Sequence, residues 1–247
     1  MKKNLFIAIC GMMLMSACDL KETMNLGSKK TVTESDNIIT KTFTVNDFDE
    51  LSVNSGIEIL YVQKEGQPSV KVSAADNVIS QMKIENDGDK LTVGFNNKVN
   101  VRYKKLDVVV TSPNLERIDI NGAGKVVFSD GLKADELSCN VSGSGDIKGM
   151  DIECEDINTS ISGCGNIVLA NVKCKDVGVF IGGSGDITIS GNAEKVKYSI
   201  AGSGNIWTKA LYAKYADISI AGAGEVECNV SELKKSVAGS GNIKNYF

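Results

Sequence analysis

A Gly-x-Gly pair returns seven times in the second half of the chain, and its period leaves few folds open. The first glycines of the pairs are Gly122, Gly143, Gly163, Gly183, Gly202, Gly222 and Gly239, so the spacings are 21, 20, 20, 19, 20 and 17 residues. A fixed period of this length marks a solenoid, in which each repeat buries its apolar face against the next. Two residues before the glycine stand Ile120, Val141, Ile161, Ile181, Ile200, Ile220 and Val237. Four before it stand Ile118, Cys139, Thr159, Val179, Tyr198, Ile218 and Lys235. The interleaved positions are mostly polar, such as Ser138, Asn140, Asn158 and Ser160. Period-two alternation predicts a strand with one buried face.

A second apolar column follows the glycines, at Val126, Ile147, Ile167, Ile187, Ile206, Val226 and Ile243. A third precedes the first strand, at Leu132, Ile152, Val172 and Leu211, with Ala134, Cys154, Cys174, Ala193 and Ala213 two residues on. Each repeat thus offers three apolar sides and closes in about twenty residues. Equivalent strands stacked roughly 4.8 Å apart can pair along the axis, so seven coils would span roughly 34 Å. The expected fold is all-β, a parallel β-helix. The handedness of parallel crossovers makes it right-handed.

The glycines fall where the backbone must turn a corner in every coil. Glycine supplies positive φ there and brings no Cβ against its copies above and below. The residue between the two glycines is always Ala, Ser or Cys, which a crowded corner explains. A phosphate cradle would need one glycine cluster ahead of a helix, and no amphipathic helix follows. Directly after the second glycine come Lys125, Asp146, Asn166, Asp186, Asn205, Glu225 and Asn242. Stacked carboxylates repel, whereas an amide between two acids can donate to them. The column is therefore expected to be structural. A calcium ladder is the competing reading, but the acid follows the glycine directly, unlike the calcium nonapeptide.

The rest of the chain divides around this array. Residues 1–17 carry Lys2 and Lys3, an apolar run from Leu5 to Met15, then Ser16 and Ala17 before Cys18. The run is short for a membrane span and resembles a bacterial lipoprotein signal, with Met15-Ser16-Ala17-Cys18 as the lipobox. That resemblance implies cleavage before Cys18 and acylation of its thiol, so a lipid would join the protein to a membrane. Polar residues 18–37 are expected to be a flexible tether. Residues 38–112 lack the repeat and are expected to form strands at Ile38–Val45, Ile57–Val62, Val70–Ser73, Leu91–Phe95 and Leu106–Thr111. Leu51 to Ile57 resembles a decayed repeat, and this strand-rich part is expected to start the helix and cap its end. Regular coils occupy 113–247.

Composition excludes some functions. There is no histidine among the 247 residues, which removes the usual neutral-pH base and the commonest metal ligand. Net charge is −4 and falls by two if Lys2 and Lys3 leave with the signal, and no basic stripe suits nucleic acid. Cys139, Cys154, Cys174 and Cys228 lie on inward columns and Cys164 on the small corner column, so buried structural thiols are expected rather than a metal site. Both arginines, Arg102 and Arg117, precede the first Gly-x-Gly pair, which disfavours a polysaccharide-cleaving groove. No catalytic residue and no cofactor is expected. Trp207, Tyr212 and Tyr215 crowd one stretch of an aromatic-poor chain and are candidates for stacking on a sugar or a partner. Tyr198 is on an inward column and belongs to the core.

The repeated Gly-Ser-Gly-Asn/Asp-Ile units, above all Ser142 to Ile147 and Ala201 to Ile206, resemble the bacterial head GIN domain family of auto-transporter adhesin-like proteins. The resemblance runs over roughly Ile38 to Phe247. It implies a β-helical, exported, non-enzymatic protein in the outer membrane, on the periplasmic side or at the surface. Asp19-Leu20-Lys21-Glu22 faintly resembles acidic surface-export signals. The implied partners are the membrane, through the lipid, and a protein or glycan ligand, with a homo-oligomer left open. The competing function is a carbohydrate-binding or carbohydrate-active β-helix.

Overall fold

The computed structural model describes residues 29–247. It is an all-β parallel solenoid of about six turns, close to the seven coils that the glycine period predicts. The front sheet holds the strands that run into the glycine corners. In it Glu136–Val141 pairs in parallel with Asp156–Ile161, and that strand with Asp176–Ile181. The back sheet holds the strands that leave the corners, with Val126, Ile147, Ile167, Ile187 and Ile206 in register. The third side carries Leu132, Ile152, Val172 and Leu211. All three predicted apolar columns point inward and are buried along most of their length.

The corners explain the glycines by crowding. A Cβ on Gly183 would stand 2.1 Å from the carbonyl oxygen of Gly163, one coil below. The same collision recurs at Gly143, Gly163, Gly202, Gly222 and Gly239. The second glycine of each pair is also closed, since a Cβ on Gly185 would stand 2.1 Å from the Gly165 carbonyl oxygen. Positive φ is a lesser part of the account than the sequence suggests. Gly122 and Gly239 have φ of +146° and +131°, while Gly143, Gly163, Gly183 and Gly202 lie outside the left-handed region. The crowded carbonyls are the ones that hold the stack together. The Cys164 amide donates to Gly143 O at 2.8 Å, Ser184 to Gly163 O at 2.9 Å and Ser203 to Gly183 O at 3.0 Å.

The small residues between the glycines are a different matter. Ser144, Cys164, Ser184 and Ser203 are exposed, so crowding of the core does not account for them. A second corner, which the repeat alignment does not reveal, lies between back sheet and third side. Asp151 and Asn171 adopt φ of +56° and +55° there, and Gly131 has +87°. Asp, Asn and Gly are the residue types that tolerate the left-handed region.

The N-terminal part joins the solenoid, but out of order. Glu50–Val53 pairs on one side with Arg117–Ile120 and on the other with Lys90–Phe95. Behind it, Glu58–Gln63 lies between Lys125–Phe128 and Leu106–Ser112. The coil made first is thus sandwiched between two made later. Chain crossing from Ser112 to the next coil is held by Tyr61, whose hydroxyl lies 2.9 Å from Ser112 Oγ, and by Gln63, whose Nε2 donates to Pro113 O at 2.9 Å. Antiparallel strands close the end: Met82–Asp87 on the front sheet, and Ser69–Ala75 followed by Ile38–Thr44 on the back. Between them the short helix Asp76–Ile79 buries Val78 and Ile79 over the end of the core.

Part of the expected tether is docked. Lys30–Thr33 forms a parallel pair with Val99–Arg102, and Ser35 Oγ donates to Asp76 Oδ1 at 2.6 Å. The far end of the solenoid is open by comparison. On the inward columns of the last coil Lys235 is exposed and Val237 is 43% exposed. A lysine in an inward column of an edge strand discourages further pairing.

Candidate functional site

The column after the second glycine is built as its pattern predicts. Glu58, Lys125, Asp146, Asn166, Asp186 and Asn205 stand in register on successive coils. Lys125 Nζ meets Glu58 Oε1 at 2.8 Å. Asn166 Nδ2 donates to Asp146 Oδ1 at 2.9 Å, and Asn205 Nδ2 to Asp186 Oδ1 at 2.9 Å. Asn205 Oδ1 accepts from the Glu225 backbone N–H at 3.0 Å, and Lys244 Nζ reaches Glu225 Oε1 at 2.5 Å. Each acid therefore has a donor within the column or beside it, and the chemistry is that of a clasp between coils. Smaller clasps repeat it, with Asn140 donating to Asp119 at 2.9 Å and Asn171 donating to Asp151. Among the described residues no group of three or more Cys, Asp or Glu is placed to hold a metal ion.

The thiols are largely interior. Cys139 and Cys228 are buried, and Cys154 and Cys174 are half-buried one coil apart. Burial pushes the Cys139, Cys154 and Cys174 thiols up to about 12 and Cys228 up to about 11. Cys164 departs from the expected burial. It is an exposed free thiol because the middle position of the corner faces outward.

The predicted aromatic candidates do not converge. Trp207 is half-buried on the back sheet, in register with Thr188 and Glu227. Tyr212 is exposed on the third side, with its ring 6.2 Å from that of Phe247. Tyr215 lies on the front sheet beside Lys195 and Glu232. One coil carries all three, but on three different sides. Tyr198 is buried as expected, and burial raises its hydroxyl. Cys18 lies outside the described residues.

Two depressions stand out on the surface. A groove of about 400 Å³ on the third side is lined by Gln63, Gly131, Asp151 and Asn171. Several of its polar groups are already engaged, since Gln63 holds Pro113 and Lys133 and Asn171 holds Asp151. The other lies on the front sheet around Gly178, where hollows of about 280 Å³ and about 410 Å³ share Asn158, Gly178 and Lys197. Phe180 borders it and is 43% exposed. Its outward column otherwise holds Asp119, Asn140, Ser160, Ser199, Ser219 and Ser236. The sequence carried this signal as one aromatic in a column of short polar residues. A search for clustered aromatics passes over it.

The family described as "Putative auto-transporter adhesin, head GIN domain" matches residues 47–170 and again 151–246. The chain belongs to that family. The two matches together take in the N-terminal coils and the glycine array. Among solved structures, a "putative adhesin" from Bacteroides fragilis NCTC 9343 is 26% identical, with a TM-score of 0.78 over 87% of this chain and 99% of that one. A "putative adhesin" from Parabacteroides merdae ATCC 43184 is 23% identical, with a TM-score of 0.76 over 88% of this chain and 100% of that one. A "putative lipid binding protein" from Parabacteroides distasonis ATCC 8503 is 22% identical, with a TM-score of 0.78 over the same shares. At such identities the last two show the fold alone. No curated protein gives a significant match. Membership of an adhesin-like head GIN domain family suggests a place at the cell surface or envelope.

Proposed function

We propose that the chain is an exported, non-catalytic binding module of the cell envelope, joined to the outer membrane by a lipid on Cys18. The observation that carries this reading is the way the polar columns close on themselves. Asp146 with Asn166, Asp186 with Asn205, and Lys125 with Glu58 spend their side chains holding coil to coil. What such a stack offers is a stiff rod with flat outward faces, capped at one end. The docked strand Lys30–Thr33 lies at the capped end and follows Cys18 closely in sequence, so a lipid on Cys18 would leave the open end pointing away from the membrane. The glycan-processing alternative needs a base. Tyr61 is buried, with its hydroxyl pushed up to about 12, and Tyr198 is buried and raised as well, which disfavours both.

The test compares cells carrying the wild type with cells carrying Cys18→Ser. The wild type should partition into detergent and incorporate a labelled fatty acid, and the variant should do neither. Detergent partitioning by the variant would overturn the anchor. Release of reducing ends or unsaturated sugars from a polysaccharide panel by the purified protein would overturn the non-catalytic reading.

A further inference from the structure

We infer that the front sheet carries a binding site for one pyranose ring of a glycan, seated on Phe180 beside the dent left by Gly178. The inference rests on the binding-module reading above and names its ligand class. An outward phenylalanine contributes little to a solenoid. The ring stands outside the core, and the same position in neighbouring coils is Ser160 below and Ser199 above. The face around it has been stripped of side chains. Gly178 and Gly182 lie two residues to either side of Phe180 and, by strand alternation, face outward with it. A Cβ on Gly182 would stand 3.2 Å from Phe180 Cε1, so the ring edge rests beside bare backbone.

The rim of the dent is polar. A Cβ on Gly178 would stand 2.5 Å from Asn158 Oδ1, which places that carbonyl against the hollow. Asn158 Nδ2 donates to Glu136 at 3.2 Å, which fixes the amide with its oxygen turned this way. Ser160 and Ser199 supply hydroxyls, and Lys197 supplies an ammonium that has no ion-pair partner within 4.0 Å among the described residues. Donors and acceptors thus surround one exposed aromatic face. A pyranose has the complementary form, with C–H groups on one face and hydroxyls around the edge. The negative face of an aromatic ring attracts the C–H groups, and the rim meets the hydroxyls. Hollows of about 280 Å³ and 410 Å³ suit a ligand of that size. A protein partner would want a larger apolar centre than a single ring among serines.

The test uses the detergent-solubilised full chain and saturation-transfer NMR with methyl glycosides of glucose, galactose, mannose and N-acetylglucosamine. At least one should bind with a Kd on the order of millimolar, with the strongest transfer to protons of one ring face. Phe180→Ala should weaken it by about tenfold or more, and Gly178→Asn, which fills the dent, should do likewise. Phe180→Trp should bind as well as the wild type or better, and Trp207→Ala should leave binding unchanged. Thermal unfolding of the Phe180 variants should match the wild type, because that ring is exposed, and circular dichroism should show that Gly178→Asn and Trp207→Ala keep the native fold. No transfer to any of the four glycosides, or transfer undiminished in Phe180→Ala, would overturn the inference. Neither result touches the anchor or the lack of turnover, which stand or fall on Cys18→Ser and the polysaccharide panel.

Discussion

Gly183→Ala is the sharpest probe of why the corner glycines exist. The added Cβ would sit 2.1 Å from Gly163 O, and 3.0 Å from the Gly163 carbonyl carbon and nitrogen. Backbone cannot rotate away as a side chain can, so the coil must shift by more than about 1 Å to restore an ordinary contact of about 3.5 Å. That shift acts on the carbonyl that accepts from Ser184 at 2.9 Å, and on the Gly202 corner stacked above. One or two weakened ladder bonds cost about 1 kcal/mol each, and more if left unsatisfied. Overpacking strain adds about 1–3 kcal/mol. The total is about 2–5 kcal/mol, or roughly 10 °C in Tm for a chain of this size. The neighbouring Gly182→Ala is the control. Its Cβ presses only on the movable Phe180 ring, at 3.2 Å and 3.4 Å, and meets Ile161 O at an ordinary 3.9 Å, so the change should stay within about 0.5 kcal/mol. Urea unfolding followed by circular dichroism measures both. Equal effects from the two substitutions would refute the crowding argument.

Three further outcomes follow from the same geometry. Asn166→Asp removes the 2.9 Å bond to Asp146 and leaves three acids on consecutive coils. At roughly 5 Å and partial exposure it should cost about 1–3 kcal/mol in total at neutral pH. That cost should shrink in salt and as acid protonates the column, read by melting curves against pH. Lys235→Val completes the inward column of Ile218 at the open end, and should produce end-to-end association visible by light scattering. Hydrogen bonds from Ser35 and Asn37 hold the Asp76 carboxyl below its ordinary value of 3.8. A depressed carboxylate stabilises the fold above its unfolded pKa and loses that contribution as pH falls through the folded one. Amide exchange at Lys30–Asn37 should therefore rise first, below about pH 4, before the coils open.

The period fixed the fold because solenoid coils are nearly identical in environment. Ile120, Val141, Ile161 and Ile181 face the same core, so one alignment reveals the strand, its register and its corner. Asp146 and Asn166 were legible for the same reason. What escaped was whatever occurs once. Glu50–Val53 lies between two later coils, and spatial order of that kind leaves no local mark. Lys30–Thr33 is polar and looks like a tether until Val99–Arg102 is there to pair with it. The second corner changes residue type from Gly131 to Asp151 to Asn171, all serving one backbone conformation, and so hides from an identity-based alignment. Cys164 is exposed although its column is small, because small size can mark an outer edge as well as a crowded core. Phe180 stands alone among aromatics, and its meaning lies in the serines and glycines that only the stacked coils bring around it.

The repeated acid–amide column joins coil to coil through its own donors, a role distinct from holding a cation. Melting temperature across a calcium titration tests it most directly, with magnesium at the same ionic strength as reference. The wild type should shift by less than about 1 °C at millimolar calcium, because Asp146 and Asp186 already accept from Asn166 and Asn205. A saturable site filled to 100 times its Kd would add about 2.7 kcal/mol, or several degrees in a chain of this length. A rise of that size in the wild type would make the column a binding site and contradict the account.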